Sequence, residues 1–155
     1  MTKAAVGLVV AVMTLFSAPA NAEIRAVLVS VSAYIDPIPS LEGPPNDAAA
    51  LRRVLVAQGA KDIVMVQDAQ ATRTGIRSAL QSVGKRSKPG DWVIFFYAGH
   101  GAQAKTRDVT ETDGLDEFLA LGGFRVSKPD PEEFILDNEL HGWLMKRCCY
   151  MQVKK

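Results

Sequence analysis

The chain has 155 residues, 48% hydrophobic and 23% charged, with 18 Lys and Arg against 17 Asp and Glu. That is ordinary globular composition for one domain, and it excludes collagen-like, coiled-coil and disordered chains. A net charge of +1 without a basic run gives little attraction to a polyanion, so a nucleic-acid partner is not expected.

The first segment reads as an export signal covering residues 1–22. Lys3 supplies the positive start, Ala4 to Phe16 is apolar, and Ala20-Asn21-Ala22 has the small residues of a cleavage site. The apolar stretch is shorter than the roughly 20 residues a membrane span needs, so cleavage after Ala22 is favoured over an uncleaved anchor. The mature chain would start at Glu23 and be exported, periplasmic or secreted, with no membrane attachment left.

Next, Ala26 to Val31 (AVLVSV) is a nearly unbroken apolar run, as in a strand buried on both faces, and it should be central. Five residues that stiffen or turn the chain, Pro37, Pro39, Gly43, Pro44 and Pro45, predict a loop from Tyr34 to Pro45. Asn46 or Asp47 then caps a helix to about Gln58, with Ala50, Leu51, Val54 and Leu55 on its apolar stripe and Gly59 ending it. Asp62 to Gln67 (DIVMVQ) is a second buried strand. Thr72 or Thr74 opens a second helix carrying Ile76, Ala79, Leu80 and Val83 at helical spacing. After the turn Lys88-Pro89-Gly90-Asp91 comes the strongest strand signal, Trp92 to Tyr97 (WVIFFY), which runs into Ala98-Gly99-His100-Gly101. Alternating strands and helices predict an α/β fold with a mostly parallel sheet and helices on both faces.

Ala102 to Glu117 is polar and acidic and is expected to be a loop. Phe118 to Leu121 reads as a short strand or hairpin arm broken by Gly122-Gly123. Another polar loop leads to Asp137, the N-cap of a helix to Lys146 with Leu140, Trp143 and Leu144 on its apolar side. The domain is thus expected over 23–147, with 148–155 a divergent tail that starts one more strand.

In open parallel sheets ligands bind at the carboxyl ends of the strands, where His100 falls. Its flanking glycines let backbone approach a ligand. Its ring suits a general base or a thiol's partner, and the Gly101 amide suits an oxyanion. The alternative is a turn histidine that only completes a hydrogen bond. The two cysteines, Cys148 and Cys149, are adjacent and make neither a disulfide framework nor a zinc site. A serine hydrolase lacks its Gly-x-Ser-x-Gly elbow, and dinucleotide or phosphate binding lacks its glycine-rich loop.

Taken in order, Arg25 to Val31, Leu41-x-Gly43-x-x-Asn46-Asp47-Ala48, Thr72-Arg73, Pro89-Gly90-Asp91, Phe95-Phe96-Tyr97-Ala98-Gly99-His100-Gly101 and Thr112-Asp113-Gly114-Leu115-Asp116-Glu117 resemble a caspase-like cysteine peptidase of the metacaspase type. The resemblance runs from about Arg25 to Lys146. It implies a Cys-His dyad hydrolysing peptide bonds in a peptide or protein substrate, with His100 as the histidine and Gly101 as an oxyanion donor. It also implies cleavage after Arg or Lys, with Asp47 and Ala98 in the substrate pocket, although Pro44 stands where Cys is frequent and Ala98 where Ser is. The chemistry requires no cofactor. Calcium is implied as an activator, with Asp113, Asp116 and Glu117 as candidate ligands, against the alternative of a solvated acidic loop.

The family's cysteine stands in an Asp-x-Cys-His-x-Gly segment after the last helix, and the 155 residues contain no such segment. If Cys148 and Cys149 begin the next parallel strand, they sit at its wrong end, about 17–20 Å from His100. The expectation is therefore a domain cut short before its nucleophile, inactive alone, with C-terminal strands missing and a sheet edge open to pairing. The competing reading is a non-catalytic caspase-fold module that binds peptides or proteins.

Overall fold

The computed structural model describes residues 22–35, 37–105 and 114–148. Residues 1–21 of the expected export signal, Asp113 and Cys149 lie outside them.

Strand β1 (Ile24–Ser30) is the middle of a three-stranded parallel sheet in the order β2-β1-β3, between β2 (Asp62–Gln67) and β3 (Trp92–Ala98). Val27 sits opposite Val64 on one side and Phe95 on the other, and Ala26 and Leu28 likewise meet apolar residues on both sides. Both faces of β1 are covered, which is why its sequence does not alternate. On one face, Ala26 and Leu28 pack with Leu55 and Leu51 of helix α1 (Gly43–Ala57). On the other, Val27, Val29 and Val31 pack with Ile76, Ala79, Leu80 and Val83 of helix α2 (Arg73–Arg86). Leu140, Trp143 and Leu144 of helix α3 (Asp137–Cys148) join this second core. The fold is α/β and caspase-like, as expected, with a parallel sheet between helical layers.

A second sheet in the order β4-β5-β6 is antiparallel: β4 (Gly101–Lys105), β5 (Leu115–Ala120) and β6 (Phe134–Leu136). This corrects two expectations. Ala102 to Glu117 was expected to be loop, but Ala102–Lys105 belongs to β4 and Leu115–Glu117 to β5; β4 is exposed along its whole length and so has no apolar alternation to read. β6 was hidden in a polar stretch because it is only three residues long.

Helix α1 also differs from expectation. It begins at Gly43, four residues before Asp47, because proline is tolerated in the first turn, where the missing N–H has no partner to lose. Asp47 is therefore an exposed residue inside the helix and not its cap. Pro44, Ala48 and Leu55 form the buried stripe, with Leu51 half-buried beside them, while Ala50 is exposed and Val54 is 56% exposed. Helix α2 does start as read: Thr72 accepts a 3.0 Å hydrogen bond from the Gly75 N–H. Cys148 ends α3 and does not begin a strand.

At the N-terminal end of the sheet, Arg25 reaches the carboxylates of Asp62 (2.8 Å) and Asp91 (3.1 Å) and also pairs with Glu23. Asp91 additionally accepts the N–H groups of Glu23 (3.0 Å) and Lys88 (2.9 Å). These two backbone bonds, with Arg25, hold its carboxyl down at about 2.

Candidate functional site

The opposite, carboxyl end of the sheet is built around one loop. After β1 the chain runs through residues 31–41 and closes on itself, with the Leu41 N–H donating to the Ser32 carbonyl at 2.9 Å. Asp68, just past β2, fixes the start of this loop. Its carboxylate accepts the N–H of Ser32 (2.7 Å), the N–H of Ala33 (3.0 Å) and the Ser32 hydroxyl (3.0 Å). The Ser32 N–H above all, then Ala33 and the Ser32 hydroxyl, hold its carboxyl below the usual carboxylate range against the opposing effect of burial. Asp68 has φ 41°, a left-handed conformation that Asp tolerates better than most residues.

The loop then presents two groups to His100. The Tyr34 hydroxyl accepts the His100 backbone N–H at 2.8 Å and donates to the Ala120 carbonyl at 3.1 Å, standing between two strands where a ladder bond would otherwise form. Its ring meets the imidazole edge-on, with centroids 4.7 Å apart. The Pro39 carbonyl lies 2.9 Å from His100 Nε2. A carbonyl only accepts, so Nε2 carries the proton in the neutral ring and Nδ1 is left as an acceptor. Tyr97 completes the frame by directing its hydroxyl at the carbonyls of His100 (2.9 Å) and Ala120. Burial first, then the Tyr34 hydroxyl, push the Tyr97 phenol far above its usual value, so it stays a donor. Gly99 is required here: a Cβ would fall 2.4 Å from the Tyr97 hydroxyl and 2.6 Å from that of Tyr34.

The register of the second sheet settles the direction of the Gly101 amide. Ala120 N–H donates to the His100 carbonyl at 2.9 Å, making His100 and Ala120 a hydrogen-bonded pair. Gly101, opposite Leu119, is then a non-hydrogen-bonded position, and its N–H points away from β5. β4 is an edge strand among the described residues, so this amide is turned outward beside the imidazole.

The remaining sequence candidates are not all gathered here. Ala98 ends β3, and its carbonyl accepts the Val31 N–H at 2.9 Å. Asp47 is exposed on α1, which starts where the His100-facing loop ends. Asp116 and Glu117 are consecutive on β5, so their side chains point to opposite faces. Asp116 is buried, with an Oδ1 that finds no partner among the described residues. Glu117 is exposed and accepts a 2.8 Å bond from Gln103. It borders a hollow of about 370 Å3 with Leu119, Asp137 and Leu140. Among the described residues, no three acidic, His or Cys side chains are grouped to hold a metal. Asp116 and Glu117 therefore do not come together as one cation site. Tyr34, Pro39, Tyr97 and Asp68 were missed from sequence; only the proline-stiffened loop hinted at them.

A family model described as metacaspase, peptidase C14 domain, matches residues 24–151. Metacaspase-1 of Plasmodium falciparum is 31% identical over 144 residues, 86% of this chain and 22% of that protein. Metacaspase-1 of Lodderomyces elongisporus is 32% identical over 139 residues, 81% of this chain and 30% of that protein. The chain thus spans less than a third of the length of these relatives. A solved structure from Geobacter sulfurreducens, 24% identical, shares the fold with a TM-score of 0.64 over 80% of this chain and 45% of its own. With the family model matched across nearly all of the described residues, the chain belongs to the metacaspase family of cysteine peptidases.

Proposed function

We propose that the chain is the histidine-bearing part of a cysteine endopeptidase that cuts peptide or protein substrates after Arg or Lys. The observation that carries this reading is the imidazole of His100, tied at Nε2 to the Pro39 carbonyl so that Nδ1 faces its task as acceptor. In the proposed reaction a thiol gives its proton to Nδ1, and the sulfur attacks the scissile carbonyl. The Gly101 N–H meets the oxyanion, and the same ring proton passes to the leaving amine. Asp47, a carboxylate on the helix that follows the His100-facing loop, would receive the basic side chain, with Ala98 nearby in the chain. The thiol would come from a strand added beside β3, which has no outer neighbour among the described residues and whose Trp92 is 67% exposed. Calcium would act as an activator through Asp116, a role supported by its buried, unpartnered Oδ1. The chain would be exported, as its first 22 residues suggest.

A second reading is a peptide-binding module that uses the same crevice without chemistry. Hydrolysis of fluorogenic peptides ending in Arg, Lys or Asp by the full chain separates the two, with and without calcium and beside His100→Ala and Cys148→Ala/Cys149→Ala. Turnover after Arg or Lys that disappears in His100→Ala supports the peptidase. Binding of Arg peptides without turnover, lost in Asp47→Ala, supports the pocket that both readings share; turnover by a longer chain that carries the thiol-bearing strand then selects the peptidase, and its absence there selects the module. Neither turnover nor binding sinks both.

A further inference from the structure

A second hollow, of about 290 Å3, has His100 itself as one wall. Its other sides are Pro37, Ile38 and Pro39 from the loop, Ala120 from β5, and Phe124 and Val126 beyond the Gly122-Gly123 turn. Apart from the imidazole, none of the described side chains in this lining is ionisable. The walls are held in place on both sides. The loop is closed by the Leu41 to Ser32 bond and anchored on Asp68. The far wall is fixed by Glu133, which accepts the Arg125 N–H at 3.2 Å and its guanidinium Nε at 2.8 Å. Yet Val126 is left 63% exposed, an apolar side chain that no described residue covers. The volume lies just under the roughly 300–1,000 Å3 of pockets that take a whole small molecule, which suits a single side chain.

We infer that this hollow receives the side chain of the residue immediately after the scissile bond, and that it selects an uncharged apolar one. The inference rests on the peptidase reading of His100. In that reading the imidazole must stand within about 3 Å of the scissile nitrogen to protonate it. The atom bonded to that nitrogen on the leaving side is the Cα of the following residue, so its side chain lies against the wall that His100 forms. The basic residue before the bond is attached through the carbonyl carbon and goes elsewhere, since Asp47 is not part of this lining. An acidic or basic side chain in the hollow would lose water without gaining a partner, and glycine would leave the apolar walls wet.

The test titrates the full-length chain with blocked hexapeptides Ala-Ala-Arg-X-Ala-Ala, where X is Gly, Leu, Phe, Asp or Lys. NMR follows the His100 ring, one of only two histidines, and the methyl groups of Ile38 and Val126. The expected result is that Leu and Phe peptides bind about tenfold more tightly than Gly, Asp or Lys peptides and shift all three residues. Val126→Asp, at an exposed position that the fold tolerates, should reduce the Leu preference to within about twofold of Gly; Ile38→Ser is the second variant and should do the same. Peptides that shift His100 but bind equally whatever X is, or leave Ile38 and Val126 unmoved, overturn the subsite and leave the peptidase reading standing. Peptides that never perturb His100 overturn both.

Discussion

Replacing Tyr34 by Phe removes one oxygen and conserves the shape of the ring, so its effect isolates the hydroxyl that bridges His100 to Ala120. The Ala120 carbonyl keeps the Tyr97 hydroxyl as a donor, but the His100 N–H loses its acceptor at 2.8 Å. A lost hydrogen bond contributes about 1 kcal/mol, and an unsatisfied donor that is partly buried costs about as much again. The full chain should therefore lose about 1–2 kcal/mol in urea denaturation, with Tm lower by about 3–8 °C. The edge-on ring contact with the imidazole persists in Phe, so any movement of the His100 ring signals reports the bridge rather than the packing. A midpoint unchanged to within about 0.3 kcal/mol, together with unmoved His100 signals, would refute the claim that this hydroxyl positions the histidine.

Gly99→Ala drives a methyl into both phenols and should cost about 2–3 kcal/mol, with the double change Gly99→Ala/Tyr34→Phe costing less than the two single changes together. Asp91 has a folded pKa of about 2, below the ordinary 3.8, so its contribution is complete above about pH 4 and disappears as pH falls toward 2. Asp91→Asn should be less stable than the parent at pH 6 and show a flatter decline between pH 4 and 2, read by denaturant midpoints at each pH. Thr72→Ala removes the acceptor for the Gly75 N–H and should destabilise the chain by about 1 kcal/mol; a loss under about 0.3 kcal/mol would mean water replaces the cap.

The sequence by itself determined the three parallel strands and the helices that cover them, because each is a local pattern. Val-rich runs mark the strands, 3.6-residue spacing marks α2, and Thr72 is its cap. It also singled out His100, since a glycine-flanked histidine just past the strongest strand can lie only at the sheet's carboxyl edge. Local patterns failed where exposure erased the alternation, as in β4, and where prolines entered a first turn, as in α1. What makes His100 more than a turn residue was decided by tertiary structure alone. Its partners Tyr34 and Pro39 lie 66 and 61 residues away, and the Asp68 that holds their loop lies 36 residues beyond Ser32. Only a folded sheet brings such groups within 3 Å, because hydrogen bonds act at contact distance and sequence spacing says nothing about which loops meet at one edge. The sequence singled out the histidine; the packing of three strand ends chose which of its nitrogens is left as an acceptor.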